Sequence, residues 1–393
     1  MKRVGVIGGG QLAWMMGGAA KKLGVELIVQ TPSVNDPSVA IAQDTVLAPV
    51  DDATATAVLA KKCDVITFEN EFVNLDALSL LAKQGVCFLP KLKALAPLLD
   101  KYNQRCYLRD LGLPVPKFFA LEGDWEKLFL VPPSPPLPPS QLCFPVVLKA
   151  RRHGYDGQGT FIVKDIKTLK QKIEASYIES DISQSLFLLE EFIPFERELA
   201  IIAARSVTGE VVTYPVVETQ QEEQVCRRVI APAEMTSELA AEIEEIAHTL
   251  LNSLEVVGVF GIELFLTEDG KVLVNEIAPR THNSGHFTLD ACETSQFEQH
   301  LRAVCGLPLG NTALLCPRAV MVNLLGYEDS QSDYMTKRQQ LQQIPQAHVY
   351  WYGKTESRPG RKLGHVTVLL ENTRDANLVS AIAHNIESIW YSN

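Results

Sequence analysis

Val259-Phe260-Gly261-Ile262-Glu263-Leu264-Phe265 and Val272-Leu273-Val274-Asn275-Glu276-Ile277 are the stretches that decide how this chain reads. Each is an apolar strand, and Thr267-Glu268-Asp269-Gly270 between them predicts the turn of a hairpin. Each strand also carries an acid where a core would take an apolar residue. Alternation puts Glu263 on the face of Gly261 and Phe265, and Glu276 on the face of Val274. A buried carboxylate is costly unless a cation neutralises it. Two carboxylates and an amide oxygen on adjacent strands make a hard-oxygen set suited to Mg2+ and the phosphates of a nucleotide. The plainer alternative is a solvated hairpin face, and the rest of the chain bears on that choice.

At 393 residues the chain is long for one domain. Its 46% hydrophobic and 21% charged content describe a soluble globular protein, and a net charge of −11 argues against a nucleic-acid or anionic-membrane surface. Met1 runs straight into an apolar strand with no signal-peptide pattern, and no stretch is long enough to span a membrane. The eight cysteines are scattered, without CxxC spacing, which predicts reduced thiols in a cytoplasmic protein.

Residues 1 to about 90 alternate strand and helix, the pattern of a doubly wound parallel sheet. Strands are expected at 2–7, 25–30, 63–67 and 86–89, and helices at 10–23 and 74–84. Residues 91–112 read as helical. Val131-Pro132-Pro133-Ser134-Pro135-Pro136-Leu137-Pro138-Pro139-Ser140 is a stiff proline-rich insertion expected on the surface. Beyond it come strands at 145–150, 160–164 and 186–191, a helix at 167–179, and a strand pair at 197–206 and 210–217. A helix capped by Thr236 or Ser237 should span about 237–254. Helices at 295–305 and 374–390, with strands at 317–325 and 348–370, complete the chain. The reading is α/β and α+β, with an N-terminal α/β domain over 1–100, a central domain over 101–310 carrying the insertion 131–140, and a small β-rich lobe over 311–393.

Six clusters carry chemistry. Gly8-Gly9-Gly10-Gln11-Leu12-Ala13 follows the first strand, where backbone amides at a helix start can meet an anion. The dinucleotide fingerprint is only loosely matched, because strand two ends Val29-Gln30-Thr31 with no acid. A phosphate of a smaller substrate suits the turn better. Glu69 and Glu71 lie at the carboxyl end of a parallel strand, where open sheets bind ligands. Lys149, followed by Gly154, Gly157 and Gly159, reads as a lysine beside a glycine-rich flap over phosphates, without Walker order. Leu189-Glu190-Glu191-Phe192-Ile193, with Glu198 beyond, can offer backbone groups to a purine and an acid to a ribose. Arg280-Thr281-His282-Asn283-Ser284-Gly285-His286 reads as an anion or carboxyl site; the Ser-Gly between the histidines and the missing glutamate argue against zinc. Lys354, Arg358, Arg361 and Lys362 around Pro359-Gly360 resemble a phosphate clamp.

Taken in order, these motifs resemble the ATP-grasp superfamily and, within it, the family of N5-carboxyaminoimidazole ribonucleotide synthetases. The resemblance covers nearly the whole chain outside the proline-rich insertion, and Asn275–His286 and Arg358–His365 are its specific parts. It implies an ATP-grasp fold and an ATP-dependent ligase of purine synthesis. That ligase takes ATP, bicarbonate and 5-aminoimidazole ribonucleotide to N5-carboxyaminoimidazole ribonucleotide, ADP and phosphate. The implied setting is a cytoplasmic homodimer that binds neither nucleic acid nor membrane.

The resemblance also implies roles. Glu263 and Glu276 would hold Mg2+, with Asn275 beside the phosphates. Arg105, Lys149, Gly154, Tyr155, Asp156, Gly157, Gln158, Gly159 and Thr160 would meet ATP. Glu190, Glu191, Phe192, Ile193, Glu198 and Gln221 would take its adenosine end. Arg280, His282 and Asn283 would line the bicarbonate pocket. Gly10, Gln11, Leu12, Glu69, Glu71, Tyr155, Asp156, Lys354 and Arg361 would hold the imidazole ribonucleotide. Arg105, Gln158 and Gln221 stand where the family usually has lysine, arginine and histidine. Other readings are a formyl-phosphate-using transformylase or biotin-dependent carboxylase of the same superfamily, a nucleotide-cofactor oxidoreductase, and a non-catalytic scaffold built on the proline-rich segment.

Overall fold

The strand Arg3–Ile7 lies between Glu26–Thr31 and Val65–Phe68 in a four-stranded parallel sheet whose fourth member is Asp44–Leu47. The sheet belongs to a computed structural model that describes residues 2–121, 143–152, 154, 159–179, 187–370 and 376–392. The proline-rich insertion and the flap residues Tyr155, Asp156, Gly157 and Gln158 lie outside the described residues. The chain divides into two compact units. The first comprises Met1–Ala96, Arg197–Glu263 and Ile277–Asn393; the second comprises Pro97–Glu196 and Leu264–Glu276.

In the first unit the parallel sheet packs Val4, Val6 and Val29 against Leu12, Met16 and Ala20 of the helix Gln11–Leu23. Gln30, where a dinucleotide fold would place its acid, is fully buried and its amide is consumed by the core. Its Nε2 donates to Pro49 O at 2.7 Å and Asp52 O at 3.2 Å, and its Oε1 accepts from Thr56 at 2.8 Å. His300 ties this sheet to the strand that follows Gly258: Val259 N donates to Nδ1 at 3.1 Å and Nε2 lies 2.7 Å from Thr67 Oγ1. The larger sheet runs, in spatial order, Val272–Ala278, Gly258–Thr267, Phe195–Arg205, Val217–Glu222, Val225–Ala231, Arg318–Leu325, Lys362–Leu370, Ala347–Trp351. The short strand Val211–Thr213 pairs beside Phe195–Arg205. The chain passes between the units after Ala96 and within Phe195–Arg205, Gly258–Thr267 and Val272–Ala278.

The second unit centres on an antiparallel sheet ordered Phe118–Ala120, Phe187–Glu191, Val146–Ala150, Thr160–Val163, backed by Leu169 and Ile173 of the helix Ile166–Glu179. The acidic hairpin turns as expected. Gly270 takes a φ of +77°, its N–H donates to Thr267 O at 2.9 Å, and Thr267 N donates to Lys271 O at 3.0 Å.

Several elements differ from the sequence reading. The 86–89 segment contributes only a single bridge, Ile66 to Phe88. Asp44–Leu47 is a short strand with no buried residue, and the helix Ala53–Ala60 has apolar residues all round, so neither shows a clean period. The hairpin Val217–Glu222 and Val225–Ala231 turns at Glu223 and Gln224, with φ of 51° and 64°. With no glycine to mark that turn and a polar first strand, the sequence hides it. The expected 348–370 strand is two strands, Ala347–Trp351 and Lys362–Leu370, with the basic loop between them.

Candidate active site

Three strand ends of the parallel sheet share one rim in the first unit: Ile7 leads to Gly8–Gly10, Thr31 to Ser33–Pro37, and Phe68 to Glu69–Glu71. The Glu69 carboxylate accepts from Gly10 N at 3.0 Å and Leu12 N at 3.3 Å. Two of the amides expected to face a substrate phosphate are therefore taken by an internal acid. Burial pushes the Glu69 carboxyl upward, against the Gly10 amide and the Arg280 charge, which favour its ionised form. A side chain at Gly8 would run into Glu69, its Cβ falling 2.5 Å from Oε2, and Gly8 also holds a φ of +116°.

Glu71, on the same rim, lies 2.9 Å from Arg280 Nε. His282 stands beside Glu263, Nε2 to Oε1 at 3.4 Å, while its Nδ1 is 2.8 Å from Ser284 Oγ. The loop backbone is clamped by Gln296, which donates to His282 O at 2.7 Å and accepts from His282 N at 2.9 Å. Asn283 and Asn323 exchange amide bonds at 2.9 and 2.7 Å. His286 turns inward, buried, with Nδ1 3.2 Å from Gln296 Nε2, and burial holds its pKa well below the usual range. The two histidines thus have separate partners and do not form a zinc pair. Gly261 sits under His282: a Cβ there would come within 2.5 Å of the His282 Cβ.

Lys354 and Arg361 line a cavity of about 410 Å3 together with Gly10, Ser33, Asn35, Asp36, Pro37, Thr355 and Glu356. Gly360, with φ +78°, makes the bend that brings Arg361 back, and Gly360 N donates to Gly326 O at 2.9 Å. Lys354 Nζ donates to Lys362 O at 2.6 Å and Arg361 to Glu356 O at 2.8 Å. Arg358 is exposed and does not line this cavity. Gln11 opens the helix and Leu12 is buried beneath it. Glu198 and Gln221 are half-buried on the strands Phe195–Arg205 and Val217–Glu222, opposite Thr219 and Cys226.

The second unit gathers another set. Lys149 and Glu190 are diagonal neighbours on one sheet face, Nζ to Oε2 at 2.8 Å. Arg105, from the helix Lys101–Asp110, donates Nε to Glu190 Oε1 at 2.5 Å and NH2 to Asn275 O at 2.6 Å. It uses two prongs of its planar fork, a fixed geometry that the compact ammonium of a lysine would not reproduce. Lys149 also donates to Asn275 Oδ1 at 3.0 Å, and Lys101 meets Glu276 at 2.6 Å. Three cations thus face two carboxylates, a surplus of one positive charge. Burial alone would raise the Glu190 carboxyl, but Arg105 and Lys149 overcome it and hold the pKa at about 2. Burial, with the Arg105 charge, pushes the Lys149 ammonium downward against the pull of Glu190. Glu191 is pinned by its carboxylate to Lys117 N at 2.8 Å, Phe192 and Ile193 are half-buried just past the strand, and Gly154, Gly159 and Thr160 are half-buried at the flap's described ends.

The sequence reading missed Asp100, which caps the helix Lys101–Asp110 and holds Arg151 at 3.0 Å. It also missed the Ser33–Pro37 loop, Gln296 and Asn323. The position of Ser33–Pro37 just past a parallel strand was the available signal; Gln296 and Asn323 had none.

A family model described as the ATP-grasp domain matches residues 107–297. The ribonucleotide synthetase preATP-grasp domain matches 1–97, and the phosphoribosylaminoimidazole carboxylase C-terminal domain matches 319–378. The fold and the matched domains are those of an ATP-grasp ligase. Over 393 residues the chain is 54% identical to the N5-carboxyaminoimidazole ribonucleotide synthase of Synechococcus elongatus, covering 99% of this chain and 96% of that protein. The structure of N5-carboxyaminoimidazole ribonucleotide synthetase from Thermotoga maritima is similar at a TM-score of 0.84 and 38% identity, covering 99% and 98% of the two chains. A structure of the Aspergillus clavatus synthase, in complex with ADP and 5-aminoimidazole ribonucleotide, has a TM-score of 0.84 at 30% identity, with 98% of each chain covered. The chain belongs to the N5-carboxyaminoimidazole ribonucleotide synthase family.

Proposed function

We infer that this chain uses ATP and bicarbonate to carboxylate the amine of 5-aminoimidazole ribonucleotide in purine synthesis, releasing ADP and phosphate. The observation that carries the substrate side is the cavity in which Lys354 and Arg361 join Gly10 on the rim that also holds Glu71. A cationic pair there suits a 5′-phosphate. Arg280, His282 and Asn283 on the clamped loop are the groups for bicarbonate and the carboxyl it yields.

For the nucleotide, the surplus positive charge around Lys149, Arg105 and Lys101 suits phosphates, with Phe192 and Ile193 beside the base. Glu263, Glu276 and Asn275 supply hard oxygen donors, and both carboxylates are partly exposed, at 31% and 41%. Oxygen donors of this kind suit Mg2+, which takes a few protein oxygens and completes its shell with phosphates and water. When bound, Mg2+ would neutralise charge on the transferring phosphoryl group. A bicarbonate oxygen attacks the γ-phosphorus and ADP leaves. The substrate nitrogen then bonds to the carboxyl carbon as the phosphate departs and the nitrogen loses a proton. Holding these reactants in line and matching their charge is the protein's contribution.

The family resemblance supports a homodimer in the cytoplasm and the division at about 100 and 310. No helix among the described residues is long and apolar enough to cross a membrane. The reaction is tested by ADP release measured with and without 5-aminoimidazole ribonucleotide and bicarbonate. Release that ignores both would overturn the assignment, and light scattering tests the dimer.

A further inference from the structure

Lys354 stands on a stack of buried side chains. Its ammonium lies 5.6 Å from the centroid of the Tyr352 ring, within cation–π range. Tyr352 is 1% exposed, meets Trp14 of the helix Gln11–Leu23 edge-on at 6.2 Å, and places its hydroxyl 2.9 Å from His365 Nδ1. His365 is fully buried on the strand Lys362–Leu370, in register with Asn323 on one side and Tyr350 on the other. Its ring stacks on Tyr350, centroids 4.6 Å apart and planes 9° from parallel, and lies 5.2 Å from His286. Asn323 is the residue that exchanges amide bonds with Asn283. His365 therefore sits where the support of the cavity cation meets the support of the Arg280–His286 loop.

We propose that His365 is a positioning residue for the ribonucleotide: through Tyr352 it sets the place of the Lys354 ammonium relative to the loop of Arg280, His282 and Asn283. The proposal rests on the reading of the Lys354–Arg361 cavity as a phosphate site. Among the described residues the bond to Tyr352 is the only side-chain hydrogen bond of His365, since Nε2 is buried without a partner. A phenyl ring would fill the same space without an unpaired nitrogen, so packing alone does not account for an imidazole. Burial also keeps the ring uncharged, its pKa pushed down to about 3, so it adds no repulsion toward Lys354 and Lys362.

The test is a set of steady-state constants for both substrates in Tyr352→Phe, His365→Phe, the double variant, His365→Asn and Lys354→Ala, with thermal melts alongside. Tyr352→Phe keeps the ring and loses only the hydroxyl. It and His365→Phe should each raise the ribonucleotide KM by roughly tenfold, with the ATP KM and kcat little changed. The double variant should be no worse than either single one, because both break one link. His365→Asn, whose amide reaches the position of Nδ1, should restore most of the affinity. If Lys354→Ala raises the ribonucleotide KM while Tyr352→Phe and His365→Phe leave it unchanged, the positioning role is overturned and the phosphate site stands. A general fall of kcat together with the melting temperature overturns it as well. If Lys354→Ala leaves that KM unchanged, the phosphate site itself is wrong and the positioning role falls with it.

Discussion

The Glu71 carboxylate lies 2.9 Å from Arg280 Nε, joining the end of a parallel strand to the loop that follows Ala278. Both side chains are about three-quarters buried, so the pair is shielded and directional. Glu71→Gln should leave the fold intact, release Arg280 from this geometry, and lower kcat/KM for the ribonucleotide by roughly ten- to a hundred-fold. The ATP KM should hardly move. Equal losses for both substrates would show that the pair supports the whole fold and not the carboxyl pocket.

Glu190 gives a pH-dependent prediction. Its carboxyl titrates near 2 in the folded chain, against an ordinary value of 4.5. A carboxylate held below its unfolded value adds stability above that unfolded value, and the contribution fades as pH falls from about 4.5 toward 2. At pH 7, Glu190→Gln should cost about 3–5 kcal/mol, because Arg105 and Lys149 lose their buried counter-charge. Denaturant melts at pH 7 and pH 3 check this: the gap between wild type and variant should narrow at pH 3. A gap that stays constant would mean the carboxylate is not what stabilises the wild type.

Glu263→Gln and Glu276→Gln should each abolish Mg-ATP turnover while the circular dichroism spectrum stays native. Each removes a hard anionic donor and keeps the side chain's shape. Chelation by EDTA should stop the wild type in the same way, with activity returning on added Mg2+. Near-normal ADP release by purified Glu276→Gln would refute the metal assignment.

Gly261→Ala should be a small change with a large effect. The added methyl would press on the His282 Cβ at 2.5 Å, closer than real contacts allow. Either His282 or the strand beneath it must then shift, and a shift of His282 disturbs its approach to Glu263. A stability loss of about 1–3 kcal/mol and a fall in kcat well beyond the loss of folded protein are expected. A variant that melts like wild type at full kcat would mean the strand yields instead.

Arg361→Ala should raise the ribonucleotide KM by roughly ten- to a hundred-fold and spare the ATP KM, since Lys149 and its neighbours are the cations proposed for the ATP phosphates. Initial-rate measurements with each substrate varied separately decide it. A rise in the ATP constant alone would assign the clamp to the nucleotide.

The hairpin around Thr267–Gly270 and the parallel sheet were legible because alternation and βαβ spacing are written locally. The strand that carries Lys149 was legible as well, from the apolar run that precedes it. The roles of the two acids at 69 and 71 were not legible. Both follow the same strand, yet one caps a helix and the other pairs with an arginine more than two hundred residues away. Only the packing of the Gly8–Gly10 turn against Phe68 and its successors separates them. Glu190 reads as part of the segment that meets the adenine, while the face it takes points its carboxylate at Lys149 and Arg105. The strands at 217–231 stayed hidden because their turn uses glutamate and glutamine in left-handed conformations.

The carboxylate of Glu69 at the first helix start also changes what this half of the molecule can accept. In dinucleotide-binding proteins a glycine turn of this kind is an empty socket for a pyrophosphate. Here the chain plugs the socket with its own anion, and Gln30 is spent inside the core where a ribose partner would be needed. The architecture is thereby closed to its commonest guest. The cations proposed for a phosphate on this rim come instead from a distant loop, at Lys354 and Arg361, and the glycine turn serves as one wall of the cavity they line.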